Sequence, residues 1–124
     1  MAYSKYKNIK VTVGGIKYDS VLESRRGSEL LMLEKAGKIK NLQRQVPYDL
    51  VVNGQKICRY IADFVYDMGG SRIVEDAKSE FVEKRDKAFP LKRKLMLACH
   101  GVEIKLWPER EAKPASRRSK PSPK

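Results

Sequence analysis

The stretch RYIADFVYDMGGSRIVEDAKSE, Arg59–Glu80, sets Asp63, Asp76 and Lys78 into two runs of strand-forming residues joined by Gly69-Gly70. Side chains alternate faces along a strand, so Asp76 and Lys78 share a face and Glu75 points the other way. If Gly69-Gly70 is a two-residue turn, Met68 pairs with Ser71 and Asp63 falls directly opposite Asp76. If the loop is instead Asp67–Gly70, Asp63 pairs with Val74 and lies diagonal to Asp76, still on the same face. Only a loop of odd length separates the two acids. Facing carboxylates repel and destabilise a hairpin. A cation reverses that sign: Lys78 supplies one charge, a divalent metal more. Mg²⁺ is held by one or two carboxylates together with waters and phosphate oxygens. The hairpin therefore resembles half of a metal-assisted phosphodiester hydrolysis site. The metal would acidify a bound water, and Lys78 would orient that water or stabilise charge developing on phosphate. A solvated polar face of a sheet accounts for the same three residues without chemistry, and a D-x-K triplet alone does not separate the two.

The elements that must position these residues are legible around them. KVTVGGIKYDS (Lys10–Ser20) reads as a short hairpin about Gly14-Gly15. Ser20 followed three residues later by Glu23 fits a capping box. It opens a helix running to Ala36, with Gly37 just past its end. Gly27 inside that helix weakens it by about 1 kcal/mol. VPYDLVV (Val46–Val52), KICRYIADFVY (Lys56–Tyr66) and SRIVEDAK (Ser71–Lys78) are three strands, the first two joined by the hairpin turn Asn53-Gly54. SEFVEKRDKAFP is a charged connection, a second helix spans about Leu91–His100, and VEIKLW (Val102–Trp107) is a last strand. After the initial hairpin the order is α-β-β-β-α-β. Residues 1–10 form a basic flexible arm, 11–107 the folded domain, and 108–124, rich in Pro, Ser, Lys and Arg, a disordered basic tail.

The bulk composition narrows the function. The 124 residues suffice for one domain, and 41% of them are apolar. The net charge is +12, and removing the five Lys/Arg of residues 113–124 leaves +7, so the body is basic as well as the tail. That balance calls for a polyanionic partner, most simply nucleic acid. No apolar run approaches the roughly 20 residues that span a bilayer, and MAYSKYKNIK has no apolar signal-peptide core. With Cys58 and Cys99 too far apart to suggest a metal site, a reducing, cytoplasmic compartment is expected, with the thiols buried and structural. The single histidine, His100, leaves no partner for a His-based zinc site or a catalytic triad, and no Gly-rich phosphate loop is present.

An acid on the first helix, then Asp63, then Asp76-Ala77-Lys78, then a helix and a strand, resembles the PD-(D/E)xK nuclease superfamily. The segments KYKN, VTVGGIKYDS, LEKAGKIKNLQRQVPYDL, YIADFVY, IVEDAKS and LKRKL also resemble a group of small phage proteins assigned to it, over roughly residues 5–106. The resemblance implies an α/β fold: a restriction-endonuclease-like αβββαβ core, with a mixed central sheet flanked by helices, plus the N-terminal hairpin. It implies a Mg²⁺- or Mn²⁺-dependent DNA endonuclease, phage-encoded and acting in the host cytoplasm. A domain this small should bind mainly through phosphate contacts and so prefer branched or junction DNA to a base sequence, and a symmetric cut requires two active sites, hence a homodimer. Asp63 and Asp76 become metal ligands, joined by Glu23 and the backbone carbonyl of Ala77, and Lys78 becomes the catalytic lysine. The sequence departs from the common pattern in having Ala62 before Asp63 and Asp76 where Glu is more frequent. Glu23 has a rival role as the capping-box acid. Arg25 and Arg26 on the first helix, and Lys92, Arg93 and Lys94 opening the second, are candidates for DNA backbone contact; Arg26 alternatively fixes an acid near the site. Gln43 and Gln45, at the start of the first core strand, are candidates for a polar role at the cleft. The alternatives are a nucleic-acid-binding module without catalysis and a protein-binding phage accessory factor on a nuclease-like fold. Metal binding separates catalysis from both.

Overall fold

A computed structural model of the chain describes residues 9–110; residues 1–8 and 111–124 lie outside it, and so do most of the expected arm and tail. The elements are β1 (Val11–Val13), β2 (Ile16–Tyr18), α1 (Val21–Lys35), β3 (Lys40–Val52), β4 (Gln55–Met68), β5 (Ser71–Ala77), α2 (Glu80–Arg85), α3 (Phe89–His100) and β6 (Lys105–Trp107). The class is mixed α/β. β1 and β2 form a separate hairpin, and the main sheet runs β3-β4-β5-β6, antiparallel except for the parallel pair β5–β6.

Gly69 and Gly70 both take positive φ, at 59° and 83°, which a tight two-residue turn demands. Met68 accordingly pairs with Ser71 and Phe64 with Glu75. Of the two alternatives for this loop, the shorter one is realised. α1 begins where the capping residue placed it: Ser20 Oγ accepts the Glu23 N–H at 3.0 Å, and Gly37 follows the C-cap Ala36 with φ 79°. Gly27 has a positive reason for its place in α1. A Cβ there would collide with the ring of Tyr18, which β2 lays against the helix.

Several boundaries differ from the sequence expectation, among them that of β6, which begins at Lys105 rather than Val102. β3 starts at Lys40, six residues earlier; residues 40–45 are polar apart from Leu42 and so show no apolar alternation in the sequence, and two of them, Asn41 and Gln45, adopt left-handed φ of 54° and 52°. The charged connection contains a short helix, α2, capped by Ser79, whose Oγ accepts the Val82 N–H. α3 starts two residues early with Pro90 in its first turn, where a missing N–H costs nothing. The tail expected from residue 108 is held as far as Arg110, whose guanidinium meets Glu83 Oε1 at 2.7 Å and the Lys78 carbonyl at 2.9 Å. Both cysteines are free and only half-buried, rather than sealed in the core.

Two clusters hold the layers together. Leu50, Tyr60, Ala62, Val65, Val74 and Ile104 pack with Phe89 and Met96 of α3. Phe64 and Tyr66 pack with Tyr18, Leu30 of α1 and Ile39. Residues two apart on a strand should share a face, yet Ala62 belongs to the first cluster and Phe64 to the second. β4 therefore changes faces at Asp63, beside the left-handed Gln45 of β3. Among the described residues no helix is long and apolar enough to cross a membrane.

Candidate active site

The β4–β5 ladder ends at Phe64↔Glu75. Beyond it the Ala77 N–H is taken not by a strand carbonyl but by Asp63 Oδ2, at 2.9 Å. The strands part there, and a cleft of about 340 Å³ opens whose lining includes Glu23, Tyr60, Asp63, Asp76, Ala77 and Lys78. The sequence-derived acids and lysine thus meet in one place. Asp76 is buried. Lys78 Nζ stands 3.5 Å from Asp76 Oδ2, 3.1 Å from Asp86 Oδ2 and 4.5 Å from the centre of the Phe89 ring.

The two oxygens of Glu23 are divided between the start of the helix and the side of the cleft. Oε1 accepts the Asp19 N–H at the start of α1, at 3.3 Å. Oε2 accepts from Arg44 at 3.2 Å and from the Gln45 amide at 2.9 Å. The same Gln45 nitrogen lies 3.3 Å from Asp63 Oδ1. Glu23 and Asp63 are thereby joined through one donor. Of the two glutamines, Gln45 carries the site's hydrogen bonds; Gln43 carries none of them.

The electrostatics record an excess of negative charge. Burial, then the neighbouring Asp76 and Glu23 carboxylates, push Asp63 up to about 8, against the relief given by the Ala77 N–H. Burial also raises Glu23, with Arg44 opposing. The Tyr60 phenol is raised by burial and by Asp76 and Asp63, so it stays protonated. Lys78 works the other way on Asp86: burial alone would raise that acid, but Lys78 and the N–H groups of Phe89 and Ala88 hold it below its ordinary value.

A divalent cation fits this donor set. The oxygens are hard, Asp63 and Asp76 supply the one or two carboxylates that Mg²⁺ takes, and the raised Asp63 marks where positive charge is wanting. The fit is not a closed cage. Among the described residues no three His, Cys, Asp or Glu side chains come together closely enough to hold an ion by themselves. Waters and other oxygens would have to complete the shell of any ion held there.

The expected cationic contacts divide. Lys92 lines the cleft, and Arg25 and Lys94 are exposed. Arg93 lies over the Phe89 ring and 4.0 Å from Glu83. Arg26 must be corrected as a DNA contact. It is buried, its Nη2 donates to Glu75 Oε1 at 3.0 Å, and Glu29 and Tyr66 take further hydrogens. Glu75, fully buried, also accepts the Tyr66 hydroxyl at 2.6 Å. Arg26 fixes an acid, the alternative the sequence had offered, but one on the α1 side of the sheet.

Two participants escaped the sequence. Asp86 holds Lys78 with one oxygen and accepts the Ala88 and Phe89 N–H groups with the other. An Asp just ahead of Phe89-Pro90, where a helix begins, was the available signal. Tyr60 carried no signal beyond its place three residues before Asp63.

Among protein families, the one described as "Protein of unknown function (DUF1064)" matches residues 3–113, so the chain belongs to it. No curated protein and no solved structure matches.

Proposed function

From membership of a family whose description assigns no activity, we propose that this protein is a Mg²⁺- or Mn²⁺-dependent DNA endonuclease. The observation that carries the reading is the meeting of Asp63, Asp76, Glu23 and Lys78 where β4 and β5 part, in a chain of net charge +12. The element order α1-β3-β4-β5-α3-β6, with β6 parallel to β5, supports a restriction-endonuclease-like core to which the β1–β2 hairpin and α2 are additions.

Asp63 and Asp76 would hold the cation, with Glu23 acting through a water and the Ala77 carbonyl as a further candidate ligand. When bound, the ion would supply Lewis-acid polarisation of the phosphate and would lower the pKa of a nearby water. The rest falls to the chain. Lys78 projects between Asp76 and Asp86, placed to neutralise charge on a phosphate oxygen as the phosphorus is attacked. Lys92 and Arg59 line the same cleft and supply backbone contacts, which position a duplex without reading its sequence. A domain of this size therefore selects DNA by shape, a branch or junction, and a homodimer provides the two clefts needed to cut both strands.

The test is a cleavage assay on linear, nicked, forked and four-way DNA, with Mg²⁺ and with EDTA, using wild type, Asp63→Asn and Asp76→Asn. Cleavage of branched substrates by wild type in Mg²⁺ alone is expected. Either Asn variant should fall below detection while retaining DNA binding, because a carboxylate beside phosphate is gone. Wild-type rates in both variants would remove the assignment. The open donor set favours one second reading, a nucleic-acid-binding module without catalysis; binding with no cleavage of any substrate, in either metal, is its signature.

A further inference from the structure

Gln45 is the one residue near the cleft whose backbone and side chain are both unusual. It lies inside a thirteen-residue strand with φ 52°, a left-handed conformation that disfavours a residue with a Cβ. Left-handed residues other than Gly, Asn or Asp persist only where the surroundings insist on them, and they gather at functional sites. The kink coincides with the point where the packing of β4 changes faces, between Ala62 and Phe64. What the distortion delivers is the amide. One nitrogen, Nε2, stands 2.9 Å from Glu23 Oε2 and 3.3 Å from Asp63 Oδ1. A neutral donor is thus shared by two carboxylates from different elements, α1 and β4.

We propose that Gln45 is a positioning residue of the cation site, its amide bridging Glu23 and Asp63 in the cation-free protein so that both acids stand ready for the ion. The proposal rests on the reading of these acids as cation ligands and deepens it. The amide does three things: it offsets the repulsion between the acids, it turns both oxygens toward one point, and it yields that point when a stronger positive charge arrives. Partners in hydrogen bonds to ligating carboxylates typically govern metal affinity by tenfold to a hundredfold.

The experiment is thermal unfolding in EDTA and across a Mn²⁺ titration, on the full chain, for wild type, Asp63→Asn and four further variants. Gln45→Ala removes the amide and keeps the strained backbone: its midpoint in EDTA should fall, and its apparent Mn²⁺ affinity should weaken tenfold or more. Gln45→Gly removes the amide and relieves the left-handed strain: stability should recover, but affinity should not, which a purely structural role for the kink does not allow. Gln45→Lys places an ammonium between the acids: its midpoint in EDTA should exceed wild type, and the Mn²⁺-induced rise should vanish. Gln43→Ala, two residues away and outside the network, should match wild type throughout. Wild-type affinity in Gln45→Ala, affinity regained in Gln45→Gly, or a normal Mn²⁺ response in Gln45→Lys overturns the proposal. The underlying reading fails separately. If wild type and Asp63→Asn respond alike to Mn²⁺, the acids are not ligands, and the EDTA midpoints of Gln45→Ala and Gln45→Lys still decide whether the amide bridges them.

Discussion

Asp63 makes the stability of the cation-free protein depend on pH. In the unfolded chain its carboxyl ionises near the ordinary value of about 4; in the fold, burial and the Asp76 and Glu23 charges move it up to about 8. Between those values the folded state binds the extra proton, so stability is greatest below about pH 4 from this group and declines as pH rises toward 8. Asp63→Asn has no such proton. Its urea midpoint in EDTA should stay flatter across pH 5–8 than that of wild type, and a parallel decline in both proteins would refute this assignment of the strain. Since a cation must displace the same proton, apparent Mn²⁺ affinity should climb over that range. Lys78 is argued differently, through its partner. Lys78→Met keeps the apolar stem but loses the charge, and cleavage should drop by about 10²–10³-fold, as for a lost transition-state donor. Asp86→Asn leaves an oxygen for the Ala88 and Phe89 N–H groups but frees Lys78, so cleavage should fall by up to about a hundredfold with Mn²⁺ affinity intact. Equal rates in wild type and Asp86→Asn would show that Lys78 needs no such anchor.

At the scale of the element, what the sequence displayed was whatever local chemistry alone decides. Ser20 and Glu23 announced the start of α1, and the Gly69-Gly70 turn brought Asp63 and Asp76 together because its parity is a local property. What it hid depended on partners distant in the chain. The six extra residues of β3 carry two left-handed positions that no alternation rule anticipates. Arg26 looked like any helix-surface cation, and only the fold places Glu75, 49 residues on, beneath it. Glu75, assigned correctly to the face away from Asp76, is buried there with Arg26 and Tyr66, a network that no spacing reveals. Gly27 makes the same point about α1. By propensity, Gly27→Ala should gain about 1 kcal/mol. The Tyr18 ring occupies the space a Cβ needs, and overpacking of this kind costs about 1–3 kcal/mol. The variant should therefore be less stable than wild type, with its thermal midpoint lowered. A raised midpoint would mean that β2 shifts off the helix without penalty.

Charge acts at the scale of the whole molecule. Residues 111–124 hold five cations and one acid, Glu111. Arg110 grips Glu83 and the carbonyl of Lys78, the lysine of the cleft. The boundary of a harmless truncation therefore lies after Arg110, not before it. Deleting residues 111–124 should leave the unfolding midpoint and single-turnover cleavage at saturating enzyme unchanged. DNA affinity should weaken, and the slope of log K against log salt should become shallower by about 0.9 for each phosphate that the tail no longer neutralises. Deleting residues 109–124 removes Arg110 too. Glu83 then loses its closest cation and the Lys78 carbonyl a donor, so saturated cleavage should fall in this variant alone. Equal cleavage by the two truncations would mean that Arg110 contributes nothing to holding Lys78, and an unchanged salt slope in both would mean that the tail does not touch DNA.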